Sequence, residues 1–86
     1  MAVIEFLGLA FTYTGVRQLD IPGQTLGTVV REIGERFPQF AQRCPVPDQL
    51  PEGVTACLNE RSFIRDPMAE LSSTDRVLLM SADVGG

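Results

Sequence analysis

The chain has 86 residues, of which 44% are hydrophobic and 21% charged, and its formal net charge is −4. A chain of this length forms one small domain, and its apolar content is too high for a disordered segment. Seven basic residues against eleven acidic ones is the wrong balance for a protein that binds a nucleic-acid backbone. We therefore expect one folded domain that does not bind nucleic acid.

The residue inventory restricts the chemistry open to this domain. All seven basic residues are arginine, so the chain has neither lysine nor histidine. Histidine is the commonest general base and metal ligand, and lysine forms Schiff bases. The two cysteines, Cys44 and Cys57, are too far apart for a CxxC redox pair or a zinc knuckle. The inventory argues against an enzyme that works on its own and against a bound metal.

The distribution of apolar residues predicts a chain that does not enter a membrane. The longest apolar run in the C-terminal half is residues 77–80, whereas a membrane-spanning helix needs roughly 18 or more apolar residues. The first five residues contain no basic region ahead of an apolar stretch, as a secretory signal would. We expect a cytoplasmic protein.

The N-terminal half predicts two strands followed by a helix. Apolar residues alternate over 3–8 and again over 17–21, and Thr14-Gly15 is a turn signal between them, which predicts an opening hairpin. Thr25 is a candidate N-cap for a helix. Pro38 either ends this helix or begins a shorter turn after it. Glycines within this helix lower its intrinsic stability by about 1 kcal/mol each, so packing must stabilise it. Its apolar face is a single stripe: Leu26, Val29, Val30, Ile33 and Phe37.

The C-terminal half predicts three further strands. A proline-rich surface loop over 41–53 precedes an alternating strand over 54–59. A tight turn begins at Asn59, which tolerates left-handed backbone angles, and leads to a short edge strand at Phe63-Ile64. Residues 68–71 predict a helical turn, and 77–81 predict the last strand.

This order of elements predicts an α+β fold of the β-grasp type, with a mixed sheet of four to five strands packed on one helix. The first and last strands form the central parallel pair, because the helical crossover returns the chain beside its start. We divide the chain into a β-grasp domain, residues 1–80, and a flexible C-terminal tail, residues 81–86.

The tail carries the one motif that suggests chemistry. Its sequence is Ser81-Ala82-Asp83-Val84-Gly85-Gly86. Glycines have no Cβ, so a tail that ends in two of them can pass through a narrow channel and lie against the active site of another protein. Its carboxylate is then the only reactive group that the domain must supply. A terminal diglycine is also compatible with a simple frayed end.

The chain resembles the ubiquitin-like sulfur carriers of the MoaD/ThiS type. These include the small subunit of molybdopterin synthase, the thiamine-pathway carrier ThiS and the carrier that feeds sulfur into cysteine synthesis. The resemblance extends over essentially the whole chain. It rests on Thr14-Gly15, residues 22–26, Leu58-Asn59-Glu60, residues 73–77 and Gly85-Gly86.

This resemblance implies a role for Gly86. Its carboxylate would be adenylated with ATP by a ubiquitin-activating-type adenylyltransferase and converted to a thiocarboxylate, from which a downstream synthase takes the sulfur. The carrier itself would bind no cofactor, because the partner uses the ATP. Many family members have prolines ahead of the terminal glycines, where this chain has Ser81 and Ala82, and Asp83 adds a charge.

Two other functions and several pathways stay open. A protein modifier, conjugated through Gly86 to target lysines, shares the activation step. A binding or regulatory domain needs no reactive tail at all. The sequence leaves open whether the sulfur would serve molybdopterin, cysteine or thiamine synthesis.

The alternation in the last strand predicts a docking surface. If Val77 and Leu79 face the helix, Leu78 and Met80 point away from it, and an apolar patch on an open sheet face often marks a partner site. We therefore predict the following partner-binding residues: Val3, Leu7, Leu78, Met80, Ser81, Ala82, Asp83, Val84 and Gly85.

Overall fold

Five strands and three helices make up the part of the chain that the computed structural model describes, residues 1–82. In this part of the chain, no helix combines the length and the apolar character needed to span a membrane. The elements are β1 (Ala2–Phe6), α1 (Leu9–Thr14), β2 (Gln18–Ile21), α2 (Leu26–Arg36), α3 (Pro38–Arg43), β3 (Val54–Leu58), β4 (Ser62–Ile64) and β5 (Arg76–Ser81).

The strands form one mixed sheet in the order β2-β1-β5-β3-β4. β1 and β5 run parallel, while the pairs β1–β2, β5–β3 and β3–β4 are antiparallel. The prediction of a β-grasp fold with a parallel pair of first and last strands is therefore confirmed. β5, the strand that precedes the C-terminal residues, lies at the centre of the sheet.

One face of the sheet packs against the helices and forms the core. Ile4 and Phe6 of β1 and Val77 and Leu79 of β5 are fully buried there. α2 contributes the predicted stripe, except that Phe37 lies at the C-cap of α2 and is only partly buried. Its fully or almost fully buried residues are Leu26, Val29, Val30 and Ile33.

The N-terminus of α2 is capped as the sequence predicts. The Thr25 hydroxyl accepts a hydrogen bond from the Thr28 backbone N–H (3.3 Å), and the Thr28 hydroxyl accepts one from the Thr25 N–H (3.2 Å). This reciprocal arrangement is a capping box, in which two otherwise unsatisfied donors are paired.

The predicted antiparallel pairing of the first two strands is confirmed, but their connection is longer than a tight turn at Thr14-Gly15. The six-residue helix α1 separates β1 from β2. Gly15 ends α1 with a left-handed backbone (φ 74°) and donates its N–H to the Phe11 carbonyl (2.6 Å). Six residues are fewer than two helical turns, too short for a recognisable periodicity. Burial of Ala10 in the core docks this segment as a helix.

Two predictions in the C-terminal half were wrong. The loop begins at Cys44 rather than at residue 41, because α3 extends to Arg43 around a fully buried Phe40. Residues 68–71 form no helical turn: Glu70 makes an isolated bridge with Thr25. The turn lies one step earlier, where the Ala69 N–H donates to the Asp66 carbonyl (2.9 Å), and the carbonyls of Pro67 and Ala69 accept hydrogen bonds from the first free amides of α2.

Candidate functional site: the end of β5 and the open sheet face

Two hydrogen bonds hold the end of β5. Ser81, which the sequence analysis placed both at the end of the last strand and at the start of the tail, is the last residue of β5 and pairs with Val54. The Ser81 Oγ accepts a hydrogen bond from the Leu9 backbone N–H (2.9 Å). The Ala82 N–H donates to the Gly53 carbonyl (2.7 Å). The predicted site residues Asp83, Val84, Gly85 and Gly86 lie outside the described residues.

Two glycines make this close approach possible. Gly8, with φ 56°, lies so close to Ser81 that a Cβ at Gly8 would overlap the Ser81 Oγ. Gly53 has φ 80°, and a Cβ there would stand 3.0 Å from the Leu9 Cδ1. Both backbones are in the left-handed region that favours glycine. Gly8 and Gly53 therefore allow the start of α1 and the approach to β3 to close around the end of β5.

The other face of the sheet carries the predicted apolar side chains. Leu78 and Met80 are partly buried and alternate with the fully buried Val77 and Leu79, so they lie on the face opposite the helices. Val3 is also partly buried, and Leu7 is 44% exposed. The structure thus brings Leu78, Met80 and Val3 onto the open face, with Leu7 just beyond the end of β1.

The pairing of β5 with β3 and of β3 with β4 adds two residues to this surface, Cys57 and Phe63, which the sequence analysis did not identify. Leu78 is the partner of Cys57 on β3, and Cys57 is the partner of Phe63 on the edge strand β4. Phe63 is 69% exposed, which is unusual for so large an apolar side chain. Alternation within β3 and β4 is visible in the sequence, but the register that joins them to β5 is not. We call the resulting surface the open-face patch: Val3, Leu7, Cys57, Phe63, Leu78 and Met80.

A charged pair lies within this face: Glu5 is the β1 partner of Leu78, and Arg76 is the β5 partner of Val3. The Arg76 guanidinium of β5 approaches the Glu5 carboxylate of the neighbouring β1 at 3.4 Å. Both side chains are substantially exposed, so this ion pair contributes little to stability. The open-face patch therefore has an ion pair beside Val3 and Leu78, with apolar side chains on both sides of it.

Cys44 does not resemble a reactive sulfur site. Burial raises the pKa of the Cys44 thiol to about 11, and this thiol donates a hydrogen bond to the Phe40 carbonyl (3.4 Å). A thiol must ionise to act as a nucleophile, so Cys44 is unreactive at neutral pH. Cys57 contributes to the open-face patch. Within residues 1–82, no three His, Cys, Asp or Glu side chains converge as a metal site would require.

The sheet order, the crossover helix α2 and the central last strand define the β-grasp fold of ubiquitin-like proteins. The sequence matches no protein-family model and no curated protein. Solved structures, in contrast, share the fold over the whole chain.

Three such structures are informative. A chain of the BexX/CysO complex from Amycolatopsis orientalis superposes with a TM-score of 0.75 at 16% identity, covering 100% of both chains. Small archaeal modifier protein 1 from Haloferax volcanii gives a TM-score of 0.71 at 15% identity, covering 99% of this chain and 97% of that one. The protein of the same name from Methanosarcina acetivorans gives 0.76 at 12% identity, with 99% and 94% covered. At such identities the likeness establishes the fold.

Proposed function

We propose that this chain is a ubiquitin-like sulfur carrier, whose Gly86 carboxylate is adenylated and then converted to a thiocarboxylate. The observation that carries the proposal is the position of Gly85-Gly86 in the sequence, separated by three residues from the end of the central strand of a β-grasp domain. The whole-chain likeness to a chain of the BexX/CysO complex, and the sulfur-carrier character of CysO, support it.

The chemistry explains why so simple a domain suffices. A carboxylate is a poor electrophile, but its oxygen can attack the α-phosphate of ATP, which releases pyrophosphate and leaves an acyl adenylate. A sulfur nucleophile then attacks the acyl carbon, and AMP leaves. The chain is the substrate and carrier in these steps rather than the enzyme. The ATP site belongs to a ubiquitin-activating-type adenylyltransferase, and a downstream synthase accepts the sulfur.

The folded body contributes recognition. We propose that the open-face patch binds the adenylyltransferase while the C-terminal residues enter its active site. An exposed apolar surface on the strand that leads to the reactive end is suited to this role. Because activation consumes ATP, we expect the protein to act in the cytoplasm.

A protein modifier is the second candidate. The likeness to small archaeal modifier protein 1 from two archaea favours it. Both candidates begin with the same adenylation and differ in the acceptor of the acyl group, which is sulfur for a carrier and a lysine amine for a modifier. The chain has no lysine of its own, so it cannot form lysine-linked chains on itself.

Intact-protein mass spectrometry tests the proposal. The mass of the purified native protein first establishes that Gly86 bears the terminal carboxylate. After incubation with the source organism's activating enzyme, ATP and a sulfur donor, we expect the mass increase of one oxygen replaced by sulfur. The same mixture without ATP is the control.

Deletion of Gly86 should abolish both the adenylate and the thiocarboxylate without changing the circular dichroism spectrum, because the described core is built from residues between 2 and 79. Adenylation of the deletion variant at the wild-type rate would contradict the proposal. Lysine-linked conjugates in cell extract, without any thiocarboxylate, would favour the modifier.

A further inference from the structure

We infer that Ser81 is a positioning residue for activation. Its hydroxyl fixes the end of β5, and so fixes where the folded domain ends and the segment that carries the reactive carboxylate begins. The inference rests on the proposed function. It concerns a group of residues that we call the tail-root clamp: Gly8, Leu9, Gly53, Ser81 and Ala82.

The first contact of the clamp joins the two ends of the described chain. The Leu9 N–H belongs to the first turn of α1, where no helical carbonyl is available to accept it. The Ser81 Oγ accepts this hydrogen bond at 2.9 Å, across 72 residues of sequence. Gly8 fits against the same hydroxyl because it has no Cβ. The Ser81 side chain therefore fits closely between the Leu9 amide and the Gly8 backbone.

The second contact closes the clamp from the other side. The Ala82 N–H donates to the Gly53 carbonyl at 2.7 Å, one residue beyond the last β5–β3 pair, Ser81–Val54. The Leu9 side chain packs over Gly53. Leu9 thus contacts both sides of the Ser81–Val54 pair. Its amide donates to Ser81, and its side chain packs over Gly53, whose carbonyl accepts the hydrogen bond from Ala82.

The clamp determines how much of the chain is ordered before a partner binds. The ends of strands open readily when few contacts hold them. If the end of β5 opens, the activating enzyme must order additional backbone as it binds the tail. Ordering one further residue weakens binding by a factor of about 5 to 30. In this chain the hydrogen bonds from the Leu9 N–H to the Ser81 Oγ and from the Ala82 N–H to the Gly53 carbonyl restrict the end of β5.

Amide hydrogen exchange, measured by NMR on the protein alone, tests the clamp directly. Ser81→Ala should accelerate exchange at Leu9 and at Ala82, while exchange in the core of β5 stays unchanged. Ser81 is only partly buried, so this variant should keep the wild-type fold. Ser81→Thr keeps the accepting oxygen and should restore protection. Ser62→Ala is the matched control, because Ser62 is an exposed strand serine of β4 whose hydroxyl makes no hydrogen bond within residues 1–82. Unchanged exchange at Leu9 and Ala82 in Ser81→Ala would overturn the clamp.

Adenylation kinetics with the source organism's activating enzyme test the positioning role. Ser81→Ala should raise KM about 5- to 30-fold with little change in kcat, because the lost order affects binding rather than chemistry. Ser62→Ala and Ser81→Thr should behave as wild type. An unchanged KM in Ser81→Ala, or a loss confined to kcat, would overturn the role of Ser81. If the wild-type protein is not adenylated at all, the proposed function and the positioning role both fail, and the exchange data alone still decide whether the clamp exists.

Discussion

Asn59 connects the β3–β4 turn to the start of β5. It adopts the left-handed backbone that the sequence predicts (φ 53°). Its side chain accepts a hydrogen bond from the Arg76 N–H (2.8 Å) and donates one to the Asp75 carboxylate (2.9 Å). The same carboxylate accepts a hydrogen bond from the Ser72 N–H (2.7 Å). These bonds, that of the Ser72 amide first and that of the Asn59 side chain second, hold the pKa of Asp75 below its ordinary value.

The lowered pKa of Asp75 makes the stability of the domain depend on pH. Because the folded state favours the ionised form, the carboxylate contributes stability above the unfolded-state pKa, about 3.9, and this contribution disappears as the pH falls through the folded-state pKa. Asp75→Asn should therefore lower the free energy of unfolding at pH 7 and have less effect in acid. The effect should be small and should decrease with added salt, since the carboxylate is exposed.

Urea unfolding of wild type and Asp75→Asn across this pH range measures the difference. Asp20→Asn is the control, since Asp20 is an exposed aspartate of β2 that makes no side-chain hydrogen bond within residues 1–82. A stability difference between wild type and Asp75→Asn that does not change with pH would contradict the assignment.

At the scale of the elements, the first turn of α2 contains Gly27, although glycine has a low intrinsic helix propensity. Gly27 is buried, and its N–H donates to the Pro67 carbonyl (2.8 Å). A Cβ at Gly27 would lie 3.0 Å from both the Cβ and the carbonyl oxygen of Pro67. The segment before β5 thus lies directly against the first turn of α2. Gly34 faces a side chain rather than a backbone carbonyl: a Cβ at Gly34 would lie 3.3 Å from the Cβ of Ala41.

Substitution of these two glycines should have opposite effects. Gly27→Ala gains about 1 kcal/mol of helix propensity but meets a backbone carbonyl, and overpacking of this kind costs about 1–3 kcal/mol. We expect a net loss on the order of 1 kcal/mol in the free energy of unfolding. Gly34→Ala should be neutral or stabilising, because the exposed Ala41 can shift. Thermal and urea unfolding compare the two variants. A Gly27→Ala variant more stable than wild type would show that this contact is loose.

At the scale of the whole molecule, the two faces of the sheet have different roles. The helices cover one face and build the core, while the open-face patch extends from β1 across β5 to β4. Leu78 lies at its centre, between Glu5 on one side and Cys57 on the other. A central interface residue of this kind can contribute about 2 kcal/mol or more to binding.

Leu78→Glu should weaken binding to the activating enzyme at least about 30-fold and leave the domain folded, because the side chain lies on the open face. Isothermal titration gives the affinity, and circular dichroism checks the fold. Met68→Glu is the matched control, since Met68 is an exposed apolar residue outside the open-face patch. Equal affinity of wild type and Leu78→Glu would move the interface elsewhere. Loss of folding would show that Leu78 is needed for the core.

The sequence by itself determined most of the strands, the main helix with its apolar stripe, and the outward direction of Leu78 and Met80. These features follow from short periodic patterns, which depend on residues close together in the chain. The β-grasp topology followed as well, because the crossover rule restricts how β1 and β5 can pair.

Only the tertiary structure decided the rest. α1 forms because Ala10 reaches the core, although six residues carry too short a pattern to predict a helix. Phe63 joins the open-face patch through a register that pairs β4 with β3 and β3 with β5. The Ser81 hydroxyl takes part in the clamp through a hydrogen-bond partner, Leu9, that lies 72 residues away. Contacts between distant segments fix all three features, and no local pattern in the sequence records which distant residues will meet.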